Sequence, residues 1–249
     1  AFRVRTISSM PTGIGAIVAG TGSYLPEKCL TNADLAKMVD TNDEWIVQRT
    51  GIRERRIASA QDTTASMATA AAKKALEAAG LTARDLDVII CGTITPEMQF
   101  PSTGCFVAAA LGLDSTPAFD VTAACSGFIY ALEIGANFLR SGRYQHALVI
   151  GSETLSRITD YQDRASCILF GDGAGAVVLK AEKHSKRGLV HSRIFADGSG
   201  WEMLHCLPGS RHPMTELMLA GRKQFMQIKG REVYKFAVSR FTELIGDAM

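Results

Sequence analysis

A thiol is the most chemically suggestive side chain in this sequence. Cys125 lies in AFDVTAACSGFIYALEIGANFLRSG, where an apolar strand over 118–122 hands the chain to a helix over 127–140. The handover crosses Thr122-Ala123-Ala124-Cys125-Ser126-Gly127. A cysteine there faces the first turn of a helix, whose unpaired N–H groups and positive dipole end favour thiolate over thiol. Its neighbours are small, so a reactant can approach the sulfur. Its own N–H can donate to an oxyanion developing on an attacked carbonyl. Cys29, Cys91, Cys105, Cys167 and Cys206 form no CxxC and no short repeated spacing, and they read as small core hydrophobes.

A nucleophilic thiol usually has a base or charge partner. Of the five histidines, His146, His184 and His191 fall in predicted strands or a charged turn, where a structural role fits. His205 and His212 remain as candidate partners for Cys125. The pair His205-Cys206 with His212 lacks a further ligand at sensible spacing, so no metal site is expected.

A second constellation is TNDEWIVQRTGIRERR (41–56), which combines Trp45 with Arg49, Arg53, Arg55 and Arg56. Guanidinium forks bind phosphates bidentately and an indole face stacks on a purine, so the cluster suits a nucleotide-bearing ligand. The alternative is a solvated charged turn, diluted by Glu44 and Glu54. The glycine-rich runs carry less. GTGSYL (20–25) lacks the third glycine of a dinucleotide fingerprint, and there is no Walker A pattern. FGDGAGA (170–176) precedes a strand, so close backbone packing is its simpler purpose.

These residues need elements to position them. Short apolar strands are predicted at 15–20, 87–94, 118–122, 146–152, 176–181 and 189–196, the first ending in the turn signal GTGSYLP. Helices are predicted at 33–39 with Asn32 as cap, after Thr41-Asn42-Asp43, and at 64–79, 102–111, 127–140 and 230–245. The helix at 64–79 stripes Met67, Ala68, Ala71, Ala72, Ala75 and Leu76 on one face and stops at Gly80. The region 197–223 reads as a long, lid-like connection. Strands alternating with helices mean an α/β fold with βαβ units.

Composition fits. The chain has 249 residues, 47% hydrophobic and 21% charged, with a formal net charge of +2. That excludes a disordered or fibrous protein and gives no basic face for duplex nucleic acid. Scattered cysteines fit a reducing cytoplasm. The uncharged stretch 6–26 is broken by prolines and glycines, so neither a signal peptide nor a membrane span is expected.

Four separated motifs then bring in a family. TNDEWIVQRTGIRERR, FPSTGC (100–105), DVTAACSGFIYAL (120–132) and RASCILFGDGAGAVVL (164–179) together resemble β-ketoacyl-acyl-carrier-protein synthase III, the condensing enzymes that start type II fatty-acid synthesis. The likeness runs from about Gly15 onward. It implies a thiolase-like α/β fold of two duplicated halves in alternating layers. A loose arm would occupy 1–13, the half carrying the nucleophile 14–182, and the start of the second half 188–249.

By the same resemblance, Cys125 matches the nucleophile, Trp45 and Arg164 the residues that sandwich the adenine of coenzyme A, and Arg49 and Thr41 their helpers. Phe100 matches an aromatic that lines the acyl pocket of a homodimer partner, and Phe170 a wall of the pocket. Lys235 matches a contact for the acidic acyl carrier protein. Acetyl-CoA or another acyl-CoA would be a substrate, malonyl-acyl-carrier protein the second one, and no cofactor is implied. The family also uses a His in a His-Gln-Ala-Asn segment and a later Asn. Neither has a counterpart up to Met249, which reads as a second half cut short. Two alternatives stay open: a related cysteine acyltransferase making a quinolone, polyketide starter or ester, and a chain that binds CoA without condensation.

Overall fold

A computed structural model describes residues 13–185 and 187–248. The arm expected at 1–13 therefore lies outside the described residues except for Gly13. In chain order the elements are β1 (Ile14–Tyr24), β2 (Cys29–Thr31), α1 (Asn32–Leu35), α2 (Asp43–Thr50), β3 (Glu54–Arg56), α3 (Thr64–Ala79), β4 (Val88–Gly92) and α4 (Thr103–Ala110). There follow β5 (Ala118–Val121), α5 (Gly127–Arg140), β6 (His146–Thr154), β7 (Asp172–Lys183), β8 (Leu204–His205), α6 (Glu216–Ala220), β9 (Gln227–Ile228) and α7 (Gly230–Ala248). They fall into two compact units. One takes residues 13–25, 60–153 and 173–194, and the other 26–59, 154–172 and 195–248.

The first unit is built on a five-stranded sheet in the order β1-β7-β6-β4-β5. β4 runs parallel to β5 and to β6, and β1 is antiparallel to β7. Strand residues alternate between the two faces, and here both faces are covered. Ile89 and Cys91 of β4 and Leu148 and Ile150 of β6 join the core under α3 and α4. Val88, Ile90, Ala147 and Val149 join the core under α5. Covering both faces is why these strands read as unbroken apolar runs. Full burial of each Ile or Leu contributes about 1.5–3 kcal/mol.

β1 runs through the glycines that suggested a turn. A Cβ on Gly20 would lie 2.3 Å from the Ala75 carbonyl oxygen, and one on Gly22 2.2 Å from that of Ala71. These glycines let α3 lie directly on the strand. The strand expected at 189–196 is irregular chain. Leu189 N–H gives one backbone bond to Ala16, but Val190 is 72% exposed, so β-branched alternation had no face to bury. Cys105 and Cys206 are exposed rather than in the core, whereas Cys91 and Cys167 are buried.

In the second unit β2 pairs antiparallel with β3, and Leu35, Ile46, Cys167 and Ile168 make its core. Thr31, not Asn32, caps α1, and the Asn32 side-chain oxygen accepts from Arg55 instead. Asn42 caps α2 through Trp45 N–H, and Gly51 ends it in the left-handed region. The stretch expected to be lid-like holds a 3₁₀ turn at Gly198–Met203, β8 and α6, and β9, which pairs with β8, follows it. Among the described residues no helix is long and apolar enough to cross a membrane.

Candidate active site

Cys125 is exposed, on a single 3₁₀ turn, Ala124–Ser126, between β5 and α5. Ala124, the residue before it, has φ +46°, a left-handed conformation that costs an L-residue about 1–2 kcal/mol. Such local strain is commonly stored where a side chain must be aimed. The N–H of Ser126 bonds Ala123 O and that of Gly127 bonds Ala124 O, so the Cys125 amide lies ahead of both bonds.

The position is set by backbone contact. A Cβ on Gly92, the last residue of β4, would sit 2.6 Å from the Gly127 carbonyl carbon. The first turn of α5 therefore rests on the end of β4, next to Val121 at the end of β5. This is the carboxyl end of the parallel strands, where open α/β sheets bind ligands. Side-chain caps close α1, α2, α3, α4 and α6, from Thr31, Asn42, Thr63, Ser102 and Thr215. α5 has neither a side-chain cap nor an acidic residue in its first turn, so its positive end is uncompensated.

Glu153, at the end of β6, holds the loop beyond Gly92. Its carboxylate accepts from Ile94 N–H (2.9 Å), Thr95 N–H (3.1 Å) and the hydroxyls of Thr93 and Thr95. Burial raises its pKa from the ordinary value, and the Thr95, Ile94 and Thr93 bonds oppose that rise. Phe100, in the same unit, is 82% exposed.

The aromatic–guanidinium cluster belongs to the second unit. The Trp45 ring on α2 meets Arg49 Cζ at 4.7 Å and Arg164 Cζ at 4.6 Å from its centroid, both in cation–π range. Arg164 Nη1 donates to Asp40 O at 3.0 Å. Thr41 Oγ1 is buried without a partner among the described residues. Arg49 is exposed and lies over the Trp45 ring on the helix α2. Arg56 instead bonds Pro26 O, Glu27 O and Glu54, and Arg55 is buried. Phe170 is half-buried and Lys235 exposed on α7.

The His205 ring lies tilted against Trp201 at 5.4 Å, and its Nδ1, like His212 Nε2, is buried without a partner among the described residues. Among the described residues no three His, Cys, Asp or Glu side chains converge as a metal site would need.

The family model described as 3-oxoacyl-[acyl-carrier-protein (ACP)] synthase III matches residues 119–198. A β-ketoacyl-[acyl-carrier-protein] synthase III of Rhizorhabdus wittichii is 48% identical over 94% of this chain and 71% of its own length. The chain belongs to the β-ketoacyl-[acyl-carrier-protein] synthase III family. A synthase III of Caldanaerobacter subterraneus is 52% identical over 90% of this chain and 68% of its own. The crystal structure of the Aquifex aeolicus synthase III superposes with TM-score 0.80 at 48% identity, covering 89% of this chain and 67% of that one. The fold is accordingly thiolase-like α/β. Within this synthase III chain the family model spans Cys125, Arg164 and Phe170, while Thr41, Trp45, Arg49, Phe100 and Lys235 lie outside it.

Sequence reasoning missed Glu153, and it read Asn32 as a helix cap and Arg55 as one more cluster arginine rather than as the buried bonded pair they form. A signal existed only for Glu153, a carboxylate ending the apolar run HALVIGSET.

Proposed function

We propose that this chain is an acyl-CoA-primed condensing enzyme in which Cys125 is the nucleophile. Its sulfur attacks the thioester carbonyl of acyl-CoA, with acetyl-CoA as the expected donor. The tetrahedral oxyanion sits where the Cys125 amide and the open first turn of α5 supply N–H donors. Collapse breaks the carbon–sulfur bond to CoA, which leaves as a thiol and takes one proton, and the acyl group remains on Cys125. Malonyl-acyl-carrier protein then loses its carboxyl group as CO2. The electron pair forms an enolate that attacks the Cys125 thioester, expelling the sulfur and giving a β-ketoacyl-carrier protein. The scheme is ping-pong and acyl-CoA is a substrate, so no cofactor takes part.

The remaining roles follow the resemblance. Trp45 and Arg164 grip the adenine, with Arg49 and Thr41 at the nucleotide end. In this structure Arg164 lies against the ring. A purine between two such faces needs about 7–8 Å, two contacts of about 3.5–4.0 Å, so Arg164 swings aside as CoA enters. Phe100 enters the acyl pocket of a homodimer partner, Phe170 walls that pocket, and Lys235 docks the acidic carrier protein in the cytoplasm. Residues 14–182 form the nucleophile-bearing half, and residues from 188 onward belong to the second.

The observation that carries this reading is an exposed cysteine, on a strained turn, ahead of a helix left uncapped at the carboxyl ends of parallel strands. Exposure to acetyl-CoA should add one acetyl group to the wild-type chain by mass spectrometry. Cys125→Ser should lower the acylation rate by on the order of 10⁴-fold or more. Acylation of that variant at the wild-type rate would sink the assignment. Comparing malonyl-carrier protein with malonyl-CoA and an amine identifies the acceptor.

A further inference from the structure

The arginines of segment 49–56 look alike in sequence, and burial separates them. Arg55 is 4% exposed, while Arg49 and Arg53 are exposed and Arg56 half-buried. Among the described residues the Arg55 guanidinium meets no carboxylate. Its Nε (3.1 Å) and Nη2 both donate to the Ile168 carbonyl, and Nη1 donates to Asn32 Oδ1. Asn32 is 1% exposed and extends the chain of bonds. Its amide donates to the Asp43 carboxylate at 2.7 Å and to Ile52 O at 2.8 Å.

A buried cation held only by neutral acceptors is costly, and its stability value alone does not explain it. Its two ends do. Ile168 lies four residues after Arg164, and Asp43 two residues before Trp45, at the first turn of α2. One planar fork therefore ties the segment that presents the guanidinium face to the helix that presents the indole face. Side chains of Leu35, Ile46 and Cys167 pack around the same join.

We infer that Arg55 is a positioning residue for the coenzyme A clamp: by holding Ile168 directly and Asp43 through Asn32, it fixes how the Trp45 and Arg164 faces meet. The inference rests on the reading of Trp45 and Arg164 as the nucleotide clamp. Lysine cannot replace Arg55, because a single ammonium lacks the fork that bonds Ile168 O twice while reaching Asn32.

The test titrates coenzyme A calorimetrically into wild type, Trp45→Ala, Arg55→Lys and Arg55→Met. Arg55→Lys keeps the charge and covers the case in which Arg55→Met does not fold. Trp45→Ala and Arg55→Lys should each raise the CoA Kd about tenfold. For Arg55→Lys, the acylation rate at saturating acetyl-CoA should fall less than threefold. In a Trp201→Phe background, where Trp45 is the remaining indole, Arg55→Lys should also shift the Trp45 emission as the guanidinium stack loosens. Weakened binding by Trp45→Ala with wild-type binding by Arg55→Lys overturns the positioning role and leaves the clamp standing. Unchanged binding by Trp45→Ala overturns both. An equal loss of affinity and saturated rate in Arg55→Lys marks general destabilisation and overturns the inference.

Discussion

The turn that carries Cys125 and the aromatic–guanidinium cluster are built by opposite means. Cys125 is placed by main chain: Gly92 against Gly127, with a left-handed Ala124 aiming the turn. No rotatable side chain intervenes between the sheet and the turn that carries the proposed nucleophile. Around Trp45 and Arg164 the bonds are made by side chains: Arg164 donates to the Asp40 carbonyl, and Arg55 and Asn32 bond Ile168 and Asp43. A reacting atom tolerates little displacement, since a misplacement of about 1 Å can cost about 100-fold in rate. A flat ligand ring needs faces that part to admit it. Rigidity by backbone and adjustability by side chain follow from those two demands.

The comparison breaks most sharply at Gly92. Its Cβ in Gly92→Ala would meet the main chain of Gly127 and Phe128, which no side-chain rotation can move aside. We expect about 1–3 kcal/mol lower stability from urea unfolding. Acylation of Cys125 should be slower by about 100-fold, with CoA affinity within twofold of wild type. Gly175→Ala is the control, because nothing lies within 4 Å of its Cβ, and it should stay within about 0.5 kcal/mol. If Gly92→Ala lost CoA affinity as fully as acylation, the separation of the two regions would fail.

A smaller effect is expected at the clamp. Arg164→Ala removes one of the two faces proposed to hold the adenine, a cation–π contact of about 0.5–2 kcal/mol, and should raise the CoA Kd about two- to thirtyfold. Saturated acylation should change less than threefold. An acylation loss near 100-fold would mean that Arg164 works on the reacting atoms.

The two modes also decide what could be read from the sequence. The handover at 122–127 and the helices at 64–79 and 127–140 follow from spacing and residue type, and the structure has them. Gly20 and Gly22 carry the same letters as a turn, and only the helix lying on them shows otherwise. The run at 189–196 has strand composition, yet a ladder requires a partner strand, which composition does not supply. Arg55 is indistinguishable from Arg53 and Arg56 until burial is known. Asn32 looks like a helix cap, one position after the residue that serves as one.

That cap gives the smallest prediction and the one that separates charge from packing. Thr31 Oγ1 bonds Asp34, Lys37 adds a second bond and the Thr31 amide a third, and together they hold the Asp34 carboxyl at about 2, below its ordinary value of 3.8. A carboxyl depressed on folding contributes stability that is present above its unfolded value and lost as the pH falls through its folded one. Thr31→Ala deletes the largest of those bonds, so an NMR titration should find Asp34 shifted up toward 3.8. The stability gap between wild type and Thr31→Ala should therefore be full at pH 7 and narrow between 3.8 and about 2. The Gly92→Ala gap comes from steric overlap and involves no titrating group, so it should hold its size across the same window. Urea unfolding of both variants above and below that window compares them directly. A Thr31→Ala gap unchanged by acid would show that this end of the second unit, like the turn that carries Cys125, is held by packing rather than by ionised groups.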